Sequence, residues 1–514
     1  MVMESQQQAN YPERHRFKIS KITGVNVSGA VSEIPQDKAR RLINFMPVQG
    51  EKIKKVPGYT TITLSTTLPA NISRMYTCYV KISGTPTPHL IFFLANGSAY
   101  KHNISAGTTA SIWTTSTFTR PRLVQWKQER ILVVDPTAGL KTWDGASASN
   151  VDPSITGHFI TVWEGRLIVV KQDTNTVIIS VPDDYSDFNT ANGAGAFIVN
   201  QPTLKGLISG VASTSKVLYI FGETAVISVS NLQSVGGVVT VSQLPLFGNR
   251  GCKYEDSIAV YENLVYTTDA NGIWEINGYS VRRITDPDVD EWLKHLNNST
   301  FNPVGFIGNL YNIDMFCLLV SITPPGMSSA EKWIWAFNNN GWFFMKFDVD
   351  ITFMTDAFEI GGDQYNFGSN AAVVKNYFDT ASETNVTSEL VTRAETHGDD
   401  EVDKIAHRMS MTISDLVGTA NISGKVLYGT KEWAFTLAPA FSNAITFVND
   451  SAAALQFQNS TPADLDFITG GDTIRIGSRL NGRGKTIQLQ LTETSALQYS
   501  IDKIIYEFFY GTRW

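Results

Sequence analysis

Apolar residues in this chain fall into short runs of β-branched and aromatic side chains separated by turn residues, and they seldom recur at helical spacing. The clearest example is residues 254–284, YEDSIAVYENLVYTTDANGIWEINGYSVRRI. Its runs SIAVY, LVYTT, GIWEI and SVRRI suit a pleated, half-buried surface. Glu262-Asn263, Asp269-Ala270-Asn271-Gly272 and Asn277-Gly278 separate the runs, and Asn and Gly reach positive φ at little steric cost. The pattern predicts a four-stranded antiparallel meander. A single sheet of that size cannot bury both faces, so it needs neighbours of its own kind.

The chain supplies them. An apolar strand, a polar turn and a second apolar or aromatic strand recur in HLIFFLANGSAYKH with its turn at Gly97, ILVVDPTAGLKTWDG at Gly139, LIVVKQDTNTVIISV at Asn175 and VLYIFGETAVISVS at Gly222. After the stretch above, with Gly272, come WIWAFNNNGWFFMKF near Asn340 and DQYNFGSNAAVVKNYF near Gly368. The mean separation is about 45 residues, the length of a four-stranded propeller blade. A further strand precedes most of these pairs, as in RLVQWKQE, HFITVWEG and GVASTSK.

The expectation is an all-β protein with a six- or seven-bladed β-propeller over residues 45–395, because ring closure removes long exposed edges. Residues 1–44 read as a polar N-terminal arm, unconstrained over 1–20, with a leading strand. Residues 396–407 read as an acidic linker. Residues 408–514 hold about seven short strands without mutual repeat, which predicts a C-terminal antiparallel β-sandwich of jelly-roll type. Within it, residues 480–485, LNGRGK, read as a hairpin turn. Helix is expected only over 286–298, with Asp286 as N-cap and Pro287 in the first position.

Composition narrows the function. Of 514 residues only 17% are charged and the formal net charge is −7, so the chain lacks the basic stripe of a sequence-reading nucleic-acid binder. A mildly acidic wall past which DNA slides without being gripped remains compatible. Cys78, Cys252 and Cys317 are odd in number and far apart, as buried free thiols of a protein made in a reducing cytoplasm would be. The polar start lacks the apolar core of a signal peptide, and no apolar run approaches a membrane span.

Catalytic and metal chemistry is sparse. His15, His89, His102, His158, His295, His397 and His407 show no ligand spacing, which fits structural or surface roles. Asp286-Pro-Asp288-Val-Asp290 and residues 398–403, GDDEVD, could hold calcium but do not continue as an EF-hand, and capping and a solvated linker explain them. For a propeller hydrolase the best-placed carboxylates are Asp183, Asp184 and Asp187 in SVPDDYSDF, where Asx-turn duty is the plainer explanation. No cofactor is expected. The basic run Lys52, Lys54 and Lys55 reads as a solvated hairpin tip.

Several segments together resemble one family. The stretch 39–62, ARRLINFMPVQGEKIKKVPGYTTI, is similar to the N-terminal signature of bacteriophage tail accessory proteins. It carries Arg40-Arg41, Asn44-Phe45-Met46-Pro47, the basic loop and Val56-Pro57-Gly58. GRLIVVKQDTNTVIISVPDDYSDF, then VLYIFGETAVISVS, then the Gly-Ile-Trp hairpin follow in the order that family shows. The family comprises the tail hub, nozzle or packaged-DNA stabilisation proteins of short-tailed phages, and the resemblance covers about residues 39–300. Residues 323–332 and the C-terminal domain have no counterpart in it.

The resemblance implies a non-enzymatic virion protein, made in the bacterial cytoplasm. Such a protein forms a ring, commonly a hexamer, below portal and adaptor proteins, extends the DNA channel without membrane insertion and carries fibres, spikes or a plug. Asn44, Phe45, Pro57 and Gly58 become the candidate assembly residues. A glycan-binding or glycan-cleaving propeller is the alternative.

Overall fold

The computed structural model describes residues 14–27, 30, 32–48, 52–114, 117–171, 173–235, 238–248, 250–285, 287–325, 327–338, 341–397, 402–416, 418–428, 431–441 and 474–510. Among them the chain is all-β, built largely from four-stranded antiparallel sheets of the propeller type. It divides into two compact units, one of residues 59–338 and 347–381, the other of residues 1–58, 339–346 and 382–514.

The repeat unit, residues 59–338 and 347–381, holds seven sheets in chain order. Sheet 1 is Ile72–Ile82, Thr85–Leu94, Ala99–Asn103 and Thr108–Trp113; sheet 2 is Arg122–Trp126, Arg130–Asp135, Gly139–Trp143 and Ala148–Asp152. Sheet 3 is Gly157–Trp163, Arg166–Lys171, Thr176–Ile179 and Gly195–Ile198; sheet 4 is Ile208–Ser213, Leu218–Gly222, Ala225–Val235 and Val238–Gly248. Sheet 5 is Ala259–Tyr261, Leu264–Thr268, Ile273–Asn277 and Ser280–Arg283, the four runs from which the sequence reading began. Val304–Leu310, Ile313–Ile322 and Glu331–Asn338 form sheet 6. In sheet 7, Phe353–Met354, Asp363–Asn370 and Val373–Tyr377 are joined by Tyr59–Ile62 from the start of the unit, and Tyr59 pairs with Tyr377.

Each sheet packs on the next. Ile91 and Phe93 of sheet 1 meet Ile131 and Val133 of sheet 2, Leu132 and Val134 meet Leu167 and Val169 of sheet 3, and Ile168 and Val170 meet Leu218 and Ile220 of sheet 4. Tyr219 and Phe221 meet Val265 and Ile276 of sheet 5, and Tyr266 stacks on Phe316 of sheet 6 at 4.7 Å. Asn309 donates its amide N–H to Asn366 Oδ1 of sheet 7 at 2.9 Å, and Ile72 of sheet 1 donates its N–H to Ala371 O of sheet 7 at 3.0 Å. The second strand of a typical sheet is packed on both faces, and this is why LIFFL, ILVVD and LIVV read as unbroken apolar runs. Each such buried side chain contributes roughly 1.5–3 kcal/mol.

Turns are built as the composition suggested, with one recurring addition. Asp135 is fully buried and accepts the N–H groups of Thr137 and Ala138 within its own hairpin and of Thr119 and Arg120 ahead of the sheet. Asp269 does the same in sheet 5, accepting from Asn271, Gly272 and Gly251. One carboxylate thus closes a turn and fixes the incoming chain, satisfying donors that would otherwise be buried unpaired.

The second unit contains two large sheets, besides the two-stranded pairs of Gly24–Val25 with Lys38–Ala39 and of Gly418–Thr419 with Ala440–Phe441. Phe45–Val48 and Lys52–Lys55 form a hairpin on Ser500–Tyr510, which also pairs with Arg14–Ile19 and Lys404–Ser414, and the latter pairs with Ile474–Gly484. The other sheet runs Gly341–Met345, Arg41–Ile43, Ser388–Val391, Gln488–Glu493, Ile422–Tyr428 and Lys431–Leu437.

Several sequence expectations are corrected here. Residues 45–58 and 382–395 belong with the C-terminal strands and not with the propeller-type sheets, because their backbone groups pair with Gln488–Glu493 and Ser500–Tyr510. Arg14–Ile19, read as part of an unconstrained arm, is a strand, and residues 404–407, assigned to a linker, begin a strand paired on both sides. Among the described residues α-helix is limited to Asp290–Leu293, with Val289 in the N-cap position, because residues beyond it bond to the neighbouring strand, as Asn297 N–H does to Ser321 O at 2.7 Å; Asp286 lies outside the described residues. Gly368 lies inside a strand, where its missing Cβ makes room for Met354 and the Tyr377 ring; the turn follows at Ala371-Ala372. Leu480–Gly484 is likewise strand, since Gly482 faces the Tyr428 ring at a distance no Cβ tolerates. The turn near Asn340 and the run AITFV lie outside the described residues.

Candidate functional site

The four residues implied by the family resemblance come together in the second unit. Asn44 has φ 54°, a left-handed conformation that Asn tolerates better than most residues, and it is fully buried. Its Nδ2 donates to Lys346 O and Thr387 O, both at 2.7 Å, and its Oδ1 accepts from Lys346 N at 2.9 Å. Its carbonyl accepts the N–H of Val56 at 2.9 Å. One side chain therefore joins three separate segments. Phe45 is buried edge-on to Tyr499 at 6.2 Å. Pro57 and Gly58 are buried, and a Cβ on Gly58 would lie 2.7 Å from Thr384 O and 2.9 Å from Ser382 Oγ. Asn44→Ala is expected to cost about 3 kcal/mol, from roughly 1 kcal/mol per lost hydrogen bond and the left-handed backbone, read as a lower denaturation midpoint.

The basic run is not a solvated tip. Lys55 is 1% exposed; its ammonium donates to Glu493, itself 2% exposed, and to Ser495 O. Burial lowers the Lys55 pKa against the opposing pull of Glu493. Lys52, more exposed, reaches Ser414 Oγ at 3.1 Å and Asp502 at 3.2 Å. Alternation along Lys52–Lys55, with Ile53 and Lys55 inward, decides which lysine is buried.

The repeat unit holds an open pocket of about 320 Å³ between the first strands of sheets 1, 2, 6 and 7, lined in part by Tyr76, Arg122, Gln125, Asp256 and Asp356. An ionic cluster crosses the interior at this level. Arg74 of sheet 1 and Arg122 of sheet 2 both bond to Asp256, which lies ahead of sheet 5, and the second Arg74–Asp256 contact is 2.9 Å. Glu255 takes Arg120 at 2.9 Å and Arg122 at 3.5 Å, and Asp256 O accepts the N–H of Gly305 in sheet 6 at 2.8 Å. Burial opposes the charge on Asp256, but the guanidiniums of Arg122 and Arg74 outweigh it and hold the carboxyl well below its usual range. Asp356, on the pocket wall, is crowded by protein yet reaches water; burial pushes its carboxyl up against the hydrogen bond donated by Ile307 N at 2.7 Å. Sequence reading missed this cluster, whose partners lie up to 182 positions apart.

The other candidates sit in turns and cores. Asp184 Oδ1 accepts from Ser186 N and Oγ at 2.8 and 2.7 Å, Asp187 Oδ1 accepts from Asn189 N at 2.7 Å, and Asp183 pairs with Lys127 at 2.7 Å. Turn duty accounts for Asp184 and Asp187, and Asp183 is engaged in an ion pair. Asp290 pairs with Arg283 and Asp403 with Arg483, while Asp286, Asp399, Asp400 and Glu401 lie outside the described residues. No group of three His, Cys, Asp or Glu side chains placed to hold a metal ion occurs among the described residues. His89, buried against Trp143, has its pKa lowered to about 4 by burial. All three cysteines are free and buried, and burial raises each thiol pKa. Trp274 is buried beneath Arg250, whereas Tyr279 is 57% exposed. No helix among the described residues is long and apolar enough to cross a membrane.

The chain matches no protein-family model and no curated protein. Solved structures similar to it include BamB from Moraxella catarrhalis, at 12% identity over 66% of this chain and 95% of that one, with a TM-score of 0.38. YCF48 bound to D1 peptide matches at 12% identity over 63% and 97%, with a TM-score of 0.38. A third is the S. cerevisiae complex of dbp5 with nup159, gle1, IP6 and ADP, at 12% identity over 64% and 95%, with a TM-score of 0.34.

Proposed function

We propose that this chain is a structural virion protein of a short-tailed bacteriophage, one subunit of a ring that serves as tail hub or nozzle below the portal and adaptor. The ring, a hexamer in this reading, extends the DNA exit channel, retains packaged DNA and offers attachment to fibres, spikes or a plug. The repeat unit is read as a seven-bladed propeller closed by Tyr59–Ile62, and the second unit as a β-sandwich that includes the N-terminal strands. Ring closure is supported by the pairing of Tyr59 with Tyr377 and by the sheet 7 to sheet 1 bond from Ile72 to Ala371.

The observation that carries the functional reading is the placement of the resemblance-bearing segment. Asn44, Phe45, Pro57 and Gly58 are buried and joined to residues 344–346 and 382–388, as a signature selected for architecture would be. By contrast, of the carboxylates of the hydrolase alternative, Asp184 and Asp187 are occupied in turns and Asp183 in an ion pair with Lys127. The ionic cluster across the repeat unit also fits a brace better than a passage, so DNA is assigned to the opening between subunits and not to the centre of each propeller.

Gly58→Val tests the reading. Overpacking against Thr384 O should cost about 1–3 kcal/mol or more and impair particle maturation. Asp183→Ala and Asp184→Ala together should leave assembly near wild type. Loss of infectivity in the double aspartate variant with intact particles would favour the glycan-cleaving alternative.

A further inference from the structure

Sheet 4 carries a long extension of its last two strands. Its third and fourth strands, Ala225–Val235 and Val238–Gly248, are each 11 residues long, while Leu218–Gly222 covers the third only from Ala225 to Val229. Beyond Val229 the two outer strands continue as a ribbon, bent at a register shift between Ser230 and Gln233 where Asn231 has φ 53°. One face of the ribbon is fastened down: Leu232, Val239 and Val241 pack on the core between sheets 3 and 4, and Gln243 Nε2 donates to Ile198 O at 3.0 Å.

The opposite face is exposed and uncharged. Of the eleven large apolar side chains exposed among the described residues, five lie here or beside it, with Val235 at 76%, Ile198 at 64%, Val238 at 63%, Leu244 at 54% and Leu207 at 52%. No charged residue occurs between Glu223 and Arg250 or between Asp187 and Lys205. Val238–Gly248 is also the last strand of its sheet, and over Val238–Ser242 no described strand pairs with its outer edge. Soluble proteins usually blunt such an edge with lysine or cover it, and a concentration of exposed apolar side chains marks an interaction site.

We propose that this ribbon is the surface through which one copy of the chain contacts a second copy. Charge selects the occupant. Each copy carries a formal net charge of −7, so copies repel at long range and are best joined where neither presents a charge. The face is small: the five or six residues of each strand that pass the sheet extend about 16–20 Å, which places a single contact at the weak end of protein interfaces. Ring closure then multiplies contacts that are individually weak. The inference rests on the ring reading above and identifies one of the two different surfaces that a head-to-tail ring contact brings together.

Sedimentation velocity of the purified full-length chain, without any other phage protein, tests it between about 1 and 100 μM. Wild type should self-associate reversibly, and Val235→Lys with Val238→Lys should weaken association at least about tenfold. Val373→Lys, an exposed apolar site on sheet 7, should leave association unchanged; because all these side chains face solvent, the thermal midpoints should match wild type. A wild type that stays monomeric throughout, one that binds only a different protein, or a double variant that associates as wild type does would overturn the proposal. Absence of the chain from virions would instead overturn the hub reading and leave the sedimentation result standing.

Discussion

Replacing Asp256 by Asn should cost the repeat unit about 3–5 kcal/mol, the usual consequence of stranding buried charge. Two largely buried guanidiniums, Arg74 and Arg122, then lose their nearest carboxylate and keep the more distant Glu255, at 3.6 and 3.5 Å. The carbonyl of Asp256, which holds Gly305, is untouched by the substitution, so the loss isolates the ionic cluster. Arg120→Ala removes a guanidinium that is half exposed and should cost less than about 1 kcal/mol. Urea unfolding measures both; equal, small losses would show that the cluster does not brace the sheets.

The same carboxylate fixes a pH dependence. Its folded pKa lies below the unfolded value of about 3.9, so its contribution is complete above that pH and is lost as pH falls toward the folded pKa. Wild type should therefore lose stability below about pH 4 more steeply than Asp256→Asn.

Lys55→Met is the counterpart in the second unit. Glu493, 2% exposed, would lose its cation, and the expected cost is again about 3–5 kcal/mol. Adding Glu493→Gln should recover at least half of it, because the amide oxygen can still accept the Ser495 N–H that Glu493 now accepts at 2.7 Å. Denaturation of the single and double variants decides the matter. A double variant no more stable than Lys55→Met would mean that packing of the lysine stem, and not the ion pair, sets the cost.

How much of this was legible in the sequence follows the range of the interactions. Sheet 5 could be read almost residue by residue, since its four strands are consecutive and its turns carry Asn, Asp and Gly. The second strands of sheets 1 to 3 announced themselves as unbroken apolar runs because both faces are covered. Pairings between distant segments left no local sign. Nothing in YTTI indicates that Tyr59–Ile62 completes a sheet with Val373–Tyr377, and nothing in RHRFKI points to Ser500–Tyr510.

Charged and glycine-rich segments misled for a related reason. Lys55 looks solvated until Glu493 is placed beside it, and LNGRG looks like a turn until the Tyr428 ring is seen to occupy the space its glycines leave. At the candidate site the resemblance singled out Asn44 and Gly58, but the demands on them, three segments to join and a Thr384 carbonyl to avoid, became apparent only in three dimensions.

Cryo-electron microscopy of infectious particles, with this chain tagged at its exposed Tyr279 turn, tests the central claim most directly. The account expects a ring of copies beneath the portal, each subunit fitting seven sheets and the unit built around Asn44. Mature particles without the chain, alongside a purified monomer that cleaves polysaccharide, would contradict it.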